Sequence, residues 1–569
     1  MYLIPAPKKM ILGEKKKLKG CRFVFSGDID ERVKRLCDKL PVGETEIAIE
    51  VNEKKSEKYE ILFGDTIKIN ADSSRAAFYA VQTIRQIIKN GYYDVEKIED
   101  EPDFSARGFY YDITRGRVAT LDTLKKLVDI MAYYKLNMLQ LYVEHVFPFK
   151  EYDGIYQKNG YMTPEETMEL DEYCKENFVE LVPSLSCFGH LYELLQNTSY
   201  KRLCEYENFE PRAIYWCERM GHHTIDVSNP ESIEVIKSLI DQYSPCFTSD
   251  KFNICCDETF DLGNGRNKGK DKGRLYVDFV KQIINHVKST DKTVMMWGDV
   301  ITQHPEVISE FDEDVIFMSW RYDADPSPDM INKFRDAKRP QYVCPGVSNW
   351  TSLMEKPSVS VPNISKMARY GYEAGAIGLL NTCWGDYGQI SPLYACMYGM
   401  IFGAEKSWNA LREASNFDEA IDMHFYGYNG ASSIVKAIDK SQRICYWYNL
   451  LVDYSNEKFG NDAMRIGYEP CPDEYNAAFS ELEEVIPTLM ATRWENDDAR
   501  RILLLVAEGM EYMIAMIMAK RTGEKMGVNI SDIENWLARY KEEYLKESKL
   551  SELKEFIVVF YELAQKHLK

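Results

Sequence analysis

Short apolar runs alternate with helical patterns eight times between residues 107 and 380. Between the runs, apolar residues recur at the helical period, as they do in residues 121–134. Eight successive strand and helix repeats predict an α/β fold of the (β/α)8 or TIM barrel type, with its active site at the carboxyl ends of the parallel strands. The predicted strands are residues 107–113, 138–143, 179–185, 251–256, 293–297, 315–319, 341–344 and 375–380.

The segments before and after these repeats have different patterns. Strand-like runs at 22–26, 46–51, 58–62 and 66–69 precede an amphipathic helix predicted over 73–90. After about residue 402 only helical patterns remain, at 432–456, 473–493, 498–522 and 531–567. We therefore predict a small α/β domain at 1–100, the barrel at 101–405 and an all-helical domain at 406–569. The helical domain either packs on the barrel or forms the contact of a homodimer.

Charge and cysteine usage limit the partners and the location. The chain has 90 acidic and 70 basic residues and a net charge of −20, which argues against nucleic acid or an anionic membrane as a main partner. The first residues lack the basic start and apolar run of a signal peptide, and no uninterrupted apolar run approaches about 20 residues. The 14 cysteines are scattered without a Cys-x-x-Cys pair, which favours reduced thiols and a cytoplasmic location.

Two adjacent carboxylates, Asp257 and Glu258, follow the apolar run at residues 252–256. A buried strand that brings paired acids to its carboxyl end can present acid and base groups to a substrate. Because neighbouring strand residues point to opposite faces, both acids can serve one site only if the chain turns there, and Gly263 and Gly265 permit a turn. The alternative is that Asp257 caps a helix and Glu258 is solvated.

Polar and aromatic side chains also follow the other predicted strands. Glu144 and His145 come after strand two, and His190 comes after strand three. The ends of the last four predicted barrel strands carry Trp297, Trp320, Trp350, Trp384 and Asp386. Indole rings stack on the faces of pyranoses, whose hydroxyls then need arginine and carboxylate partners, so four tryptophans at one rim favour a sugar pocket. Each tryptophan or histidine alone is equally compatible with a position in the core.

The ordered set of motifs resembles glycoside hydrolase family 20, the β-N-acetylhexosaminidases. The set consists of Arg107-Gly108, Lys135-Leu136-Asn137, Gly189-His190, Asp257-Glu258 and Trp384-x-Asp386. Members of this family commonly have a small α/β domain before the barrel, and some bacterial members have a helical domain after it. The resemblance therefore covers most of the chain and implies a bacterial-type member with a helical C-terminal domain.

The chain departs from the family pattern at three places, one of which is that the Tyr and Asp usually found after strand seven are not obvious near Ser348-Asn349-Trp350. Members commonly have His-x-Gly-Gly before the acid pair, where this chain has Asn253-Ile254-Cys255-Cys256. They commonly have His-x-x-Asp-Asp after strand two, where this chain has Tyr142-Val143-Glu144-His145. These departures indicate a divergent member of the family.

The resemblance implies substrate-assisted catalysis, in which the oxygen of the substrate's 2-acetamido group attacks the anomeric carbon. Glu258 would be the general acid/base, and Asp257 would orient and polarise the acetamido group. His190 would tune Glu258, with Glu144 and His145 around it. No metal or cofactor is expected.

The resemblance also implies which residues bind the sugar. Arg107 would bind the 3- and 4-hydroxyls, and Asp386 would bind the 4- and 6-hydroxyls. Tyr322 and Trp350 are the candidates for holding the acetamido oxygen. The full set implied to contact the sugar is Arg107, His190, Trp297, Trp320, Trp350, Trp384 and Asp386.

The function expected from the resemblance is an exo-acting, retaining β-N-acetylhexosaminidase that takes a small oligosaccharide or glycoside. The sequence leaves open whether it releases N-acetylglucosamine or N-acetylgalactosamine. Two alternatives also remain open. One is a metal-dependent lyase or isomerase in which Asp257, Glu258 and the rim histidines bind a divalent ion. The other is a barrel that binds sugar without turning it over.

Overall fold

The computed structural model of the chain describes every residue except 53, 153, 157–159, 208–211, 222 and 468. Within these residues the strands form two sheets, a six-stranded mixed sheet and a closed eight-stranded barrel. The first sheet has the order β1-β6-β4-β5-β3-β2. Its strands are β1 (Lys9–Lys17), β2 (Cys21–Ser26), β3 (Thr45–Val51), β4 (Tyr59–Leu62), β5 (Ile67–Ala71) and β6 (Tyr92–Asp100).

The helix Ser74–Asn90 packs on this sheet and lies where the sequence predicts it. Ser73 caps it by accepting from the N–H of Ala76, and Gly91 ends it with a φ of 79°. A shorter helix, Glu31–Asp38, was not predicted, and neither were β1 and β6. β1 is a lysine-rich and mostly exposed edge strand, and these charges hide its strand pattern in the sequence.

The eight barrel strands are parallel and buried on both faces, and pairing of the last with the first closes the barrel. This confirms the predicted (β/α)8 barrel. The strands are β7 (Ala106–Asp112), β8 (Met138–Val143), β9 (Glu180–Leu185), β10 (Lys251–Asn253), β11 (Thr293–Trp297), β12 (Ile316–Trp320), β13 (Gln341–Cys344) and β14 (Gly378–Cys383).

Two barrel strands differ from the prediction by more than one residue at an end, each for a local reason. β10 ends at Asn253 rather than at residue 256, because Cys255 and Cys256 have φ values of 56° and 63° and leave the extended conformation. β14 begins three residues later than predicted, because the preceding helix is capped at Ala374 and Gly375 has a φ of 71°.

Helices surround the barrel and connect its strands. Thr163 starts the second large one with the predicted capping box: it accepts from the N–H of Glu166, whose side chain accepts from the N–H of Thr163. The helices between the first and last barrel strands are Leu121–Tyr133, Pro164–Glu176, Tyr192–Gln196, Tyr215–Arg219, Pro230–Tyr243, Lys272–Lys288, Asp329–Asp336 and Pro357–Glu373. The helix Met397–Trp408 follows the last strand.

The remainder of the chain is helical, as predicted. Two segments predicted as single helices, 432–456 and 531–567, are each split in two. The first break lets the N–H of Trp447 donate to the carbonyl of Thr351 at 2.9 Å, and the second places the N–H of Lys549 2.8 Å from the carbonyl of Val118. The helices are Phe417–Ile421, Ala431–Gln442, Trp447–Phe459, Pro472–Ala491, Asp497–Thr522, Ile530–Glu547 and Leu553–Leu568.

The helical region and the barrel share one continuous hydrophobic core. This region therefore packs on the barrel, which is one of the two predicted arrangements. Within the described residues one helix, Asp497–Thr522, is long and apolar enough to cross a membrane by length and composition alone. In the structure, 72% of its most apolar window is buried, as in the core helix of a folded domain. The cysteines are free thiols, and most are buried.

Candidate active site

The carboxyl ends of the barrel strands converge on a cavity of about 300 Å³, which lies at the small end of the range for ligand pockets and suits a single sugar ring. Most of the predicted site residues meet there. The predicted residues that line the cavity are His190, Asp257, Glu258, Trp297, Trp320, Trp350, Trp384 and Asp386, and Tyr322 lines it with them. The lining is completed by Arg115, Met220, Thr351, Tyr387, Tyr448 and Ile466.

A strained turn brings both members of the acid pair to the cavity. Cys255, Cys256 and Glu258 have φ values of 56°, 63° and 47°, in the left-handed region that costs a residue with a side chain about 1–2 kcal/mol. A hydrogen bond stabilises the turn, because the N–H of Glu258 donates to the carboxylate of Asp299 at 3.0 Å. The family pattern has glycine at the positions of Cys255 and Cys256, and their left-handed backbone explains why glycine is favoured there.

The ring of His190 lies between the acid pair and a third carboxylate. Its Nε2 is 3.4 Å from Asp257 Oδ2 and 3.5 Å from Glu258 Oε2, and its Nδ1 is 3.9 Å from Glu144 Oε1. Burial lowers the pKa of His190, but the charges of Asp257 and Glu258 outweigh it and hold the pKa well above its usual value. The two carboxylates therefore favour the protonated form of His190.

Glu144 supplies a buried negative charge behind His190. Its Oε1 accepts from the hydroxyl of Tyr142 at 2.8 Å, and its Oε2 lies 3.7 Å from His145 Nδ1. Burial raises the pKa of Glu144, but the His145 contact and the charges of Arg115 and His190 prevail and lower it to about 2. The structure therefore places Glu144 beside His190, as predicted, with His145 on the other oxygen of Glu144, and both residues lie outside the cavity lining.

Aromatic rings form the walls of the cavity. The rings of Trp297 and Trp384 lie 5.7 Å apart, and the indole N–H of Trp384 donates to the hydroxyl of Tyr322 at 2.8 Å. Trp320 stacks on Tyr322 at 5.1 Å, and Trp350 lies on the other side of Tyr322 at 5.0 Å. Burial raises the pKa of Tyr322 well above its usual value, so its hydroxyl keeps its proton.

Arg107 does not lie at the cavity, and its predicted contact with sugar hydroxyls is wrong. It is the second residue of β7 and is fully buried at the amino end of the barrel, opposite the cavity. Its guanidinium donates to Glu57 at 2.6 Å, to the hydroxyl of Tyr79 at 2.8 Å and to the carbonyl of Lys135 at 3.0 Å. Arg107 therefore joins the barrel to the first sheet domain.

The arginine of the cavity is Arg115, which the sequence analysis missed. It follows the carboxyl end of β7 by three residues, and its Nε donates to Asp112 at 2.7 Å while its Nη1 pairs with Asp386. Burial raises the pKa of Asp386 despite this pair. The sequence contains the signal that would have identified Arg115, because a residue just after a barrel strand lies at the rim whereas the second residue of a strand does not.

Tyr448 and Ile466 of the helical region also line the cavity, together with Met220 from the loops after β9. No motif marked these three residues, because they are ordinary apolar or aromatic side chains on segments far from the strand ends in sequence.

The group His190, Asp257 and Glu258 bears on the metal-dependent alternative. One ligand atom from each of these residues lies within 4.8 Å of the others, close enough to hold a metal ion. Imidazole binds a metal only when it is neutral, whereas the two carboxylates hold the pKa of His190 well above its usual value. A metal ion at this group would therefore have to displace the proton of His190.

Comparison with known proteins points to one family. Residues 104–337 match the catalytic domain of "Glycosyl hydrolase family 20". The chain is 26% identical over 278 residues to a beta-hexosaminidase of Porphyromonas gingivalis, a match that covers 41% of this chain and 34% of that protein. It is 22% identical over 364 residues to human hexosaminidase D, covering 58% of this chain and 71% of that protein. The chain spans between 22% and 47% of the length of the first three curated relatives that it matches.

Solved structures share the fold. A chitobiase of Flavobacterium johnsoniae is similar with a TM-score of 0.60 and 16% identity, over 98% of this chain and 99% of that one. An exo beta-N-acetylglucosaminidase of Vibrio harveyi in complex with N-acetylglucosamine also has a TM-score of 0.60 and 16% identity, over 74% of this chain and 76% of that one. The likeness to the chitobiase extends over the N-terminal sheet and the helical region.

Proposed function

The chain belongs to glycoside hydrolase family 20, and on that premise we propose that it is an exo-acting, retaining β-N-acetylhexosaminidase. It removes terminal β-linked N-acetylglucosamine, or N-acetylgalactosamine, from small glycosides. The observation that carries the proposal is the contact of His190 with both Asp257 and Glu258 at a tryptophan-walled cavity of one-sugar size. The relatives named as hexosaminidases support the same activity.

In the first step the oxygen of the 2-acetamido group attacks the anomeric carbon and displaces the glycosidic oxygen. Glu258 gives its proton to that oxygen, so the aglycone leaves as an alcohol, and the sugar becomes a cyclic oxazolinium ion. Asp257 accepts the acetamido N–H and stabilises the positive charge that develops there. The enzyme needs no nucleophile of its own in this scheme.

In the second step a water molecule attacks the anomeric carbon from the face that the aglycone left. Glu258, now a carboxylate, takes a proton from this water, and the bond between the anomeric carbon and the acetamido oxygen breaks. The product is the free N-acetylhexosamine with its β configuration retained. Glu258 is protonated again and ready for the next turnover.

The charges around the acid pair suit these two roles. The ring of His190 contacts both carboxyls, at 3.4 Å from Asp257 and 3.5 Å from Glu258. Burial, and then the charge of Asp257, raises the pKa of the neighbouring Asp299 to about 7.

The remaining lining fits a sugar. Arg115 and Asp386 form a guanidinium and carboxylate pair that can bind ring hydroxyls, a role assigned from the sequence to Arg107. Trp297, Trp320 and Trp384 offer indole faces to the pyranose ring. The protonated hydroxyl of Tyr322 is our candidate donor to the acetamido oxygen.

We further propose that the substrates are soluble glycosides in the cytoplasm. The 14 scattered cysteines are free thiols, which suits a compartment that keeps thiols reduced and supports this location. Fractionation of the source cells, followed by an activity assay on each fraction, tests it. Activity in the membrane or secreted fraction would contradict it.

The activity itself is tested with 4-nitrophenyl β-N-acetylglucosaminide, the matching galactosaminide and the β-glucoside, each with and without EDTA. We expect turnover of an acetamido substrate only, with no effect of EDTA. Loss of activity in EDTA, restored by a divalent ion, would favour the metal-dependent alternative, for which the His190, Asp257 and Glu258 group is the specific observation. Binding of N-acetylglucosamine without turnover would favour the sugar-binding barrel.

A further inference from the structure

The helical region after the barrel contributes Tyr448 and Ile466 to the lining of the catalytic cavity. Tyr448 lies in the first turn of the helix Trp447–Phe459, and Ile466 lies in the irregular segment that follows this helix. We propose that these two side chains of the helical region enforce the exo action, because they form an outer wall that excludes an N-acetylhexosamine substituted on its other hydroxyls. This inference rests on the proposed function and deepens it by naming the residues that determine this specificity.

The wall stands next to Asp386 and Arg115. The ring of Tyr448 contacts the ring of Tyr387 at 4.5 Å, and Tyr387 is adjacent in sequence to Asp386, which pairs with Arg115. The anomeric end of the sugar must face the acid pair. Arg115 and Asp386 are separate from the acid pair, so they can bind only the hydroxyls away from the anomeric end. Tyr448 and Ile466 therefore bound the non-reducing side of the sugar.

Three side chains of the preceding helix, at positions i, i+4 and i+7, bind the segment that carries Ile466. Asn449 donates to the carbonyl of Ile466 at 3.1 Å and accepts from its N–H at 2.9 Å. Asn456 makes the same two contacts with Ala463, at 3.0 and 3.1 Å. Asp453, between them, pairs with Arg465 at 2.8 Å. These three residues lie on one face of the helix and give an irregular segment a defined position.

The helix itself is fixed to the barrel. The N–H of Trp447 donates to the carbonyl of Thr351, which also lines the cavity, at 2.9 Å. The buried ring of Trp447 packs on Phe556 at 5.1 Å. The hydroxyl of Tyr448 donates to the carbonyl of Met464 at 3.1 Å, which ties the two parts of the wall together. These contacts give the wall a defined position at the pocket.

The chemistry of the wall suits exclusion. Ile466 is an apolar side chain with 41% of its surface exposed, and it offers no hydrogen bond to a sugar hydroxyl. A second sugar attached on this side would collide with the wall in a cavity of about 300 Å³, and its hydroxyls would lose water without gaining partners. A hydroxyl without a substituent needs only the contacts that Arg115 and Asp386 provide.

The test uses 4-nitrophenyl β-N-acetylglucosaminide and 4-nitrophenyl β-N,N′-diacetylchitobioside, with products separated by chromatography. From the chitobioside, the wild type should release N-acetylglucosamine first and nitrophenol only after a lag, with no free disaccharide. Ile466→Ala and, separately, Tyr448→Ala should open the wall and release the disaccharide directly. We expect the ratio of disaccharide to monosaccharide release to rise at least about tenfold.

Met464→Ala is the matched control, since Met464 lies in the same segment, is 86% exposed and does not line the cavity. It should leave the product ratio unchanged, whereas Asn449→Ala should raise it by releasing Ile466. Unchanged ratios in Ile466→Ala and Tyr448→Ala, with melting temperatures and monosaccharide turnover intact, would overturn the inference. Direct disaccharide release by the wild type would overturn it as well. Failure of the wild type to cleave the monosaccharide substrates, including the galacto epimer, would overturn the proposed function itself.

Discussion

The two ends of the barrel each bury an arginine among carboxylates and aromatic rings, but Arg115 lines the catalytic cavity and Arg107 does not. At the amino end, Arg107 donates to Glu57, Tyr79 and the carbonyl of Lys135, so its guanidinium is saturated by protein groups. At the carboxyl end, Arg115 pairs with two carboxylates at the rim of the pocket.

Buried polar atoms without partners lie close to the cavity at the carboxyl end. Among the described residues, the buried atoms Asp257 Oδ1, Trp297 Nε1 and Asp299 Oδ1 at the carboxyl end lack a hydrogen-bond partner. Burying a polar atom without a partner costs free energy, so a group of such atoms at a cavity indicates where a ligand completes the structure. A buried arginine alone therefore does not identify a binding site, whereas unmet hydrogen bonds beside a cavity do.

The largest effect should follow from Glu258→Gln, which keeps the shape of the acid/base but removes its proton. We expect kcat/KM for the acetamido substrate to fall by about 10³-fold or more, because both steps require proton transfer by this side chain. The melting temperature should stay within about 2 °C of the wild type, since Glu258 is partly exposed. Retention of a tenth of the activity would mean that another group is the acid.

Arg107→Met and Arg115→Met should separate the two ends of the barrel. Arg107→Met should lower the free energy of unfolding by about 3 kcal/mol, because it leaves the Glu57 carboxylate and several buried acceptors without a partner. Its kcat/KM should stay within about twofold, because the residue lies opposite the cavity. Urea unfolding and steady-state kinetics on the folded protein measure the two quantities.

Arg115→Met should lose both stability and activity, because Asp112 and Asp386 lose their partner and the sugar loses a donor. We expect kcat/KM to fall by about 10²-fold. Equal losses of activity in Arg107→Met and Arg115→Met would remove the distinction between the two ends.

Acid should weaken the carboxyl end through Glu144. The folded pKa is depressed to about 2 from a usual value of 4.5, so its stabilisation is complete above pH 4.5 and is lost as the pH falls through 2. Glu144→Gln removes this dependence. At pH 7 the wild type should be more stable than Glu144→Gln by about 2 kcal/mol, and the difference should shrink between pH 4.5 and 2.5. A difference that stays constant over this range would show that Glu144 is not held as a carboxylate by its neighbours.

The smallest of these effects should come from one wall of the pocket. Trp320→Ala removes an indole that stacks on Tyr322 and lines the cavity. We expect KM for the acetamido substrate to rise about fivefold with kcat changed less, because ring stacking contributes about 1 kcal/mol to binding of substrate and transition state alike. A fall in kcat with unchanged KM would instead assign Trp320 to the chemical step.

The sequence predicts most of the barrel because each strand is a continuous apolar run, and it predicts Asp257 and Glu258 because they directly follow such a run. It fails where neighbours decide the structure. β1 is charged and exposed, so only its pairing with β6 reveals a strand. The helix break before Trp447 depends on a contact with a barrel loop that is distant in sequence.

The site residues also divide into those that a local sequence pattern predicts and those that depend on distant contacts. A position after a strand end predicts the rim, and this rule alone would have selected Arg115 over Arg107. Tyr448 and Ile466 lie far along the chain and reach the cavity through the packing of helices. Their position follows from side-chain contacts such as those of Asn449, which no local pattern reports.

The most direct test of the account is the response of hydrolysis to fluorination of the substrate's acetamido group. Glycosides with N-acetyl, N-fluoroacetyl, N-difluoroacetyl and N-trifluoroacetyl groups differ little in size, but each fluorine makes the acetamido oxygen a poorer nucleophile. If this oxygen attacks the anomeric carbon beside Asp257 and Glu258, kcat/KM should fall steeply and in order along the series. A rate that is the same for all four glycosides would contradict substrate-assisted hydrolysis at the carboxyl end of this barrel.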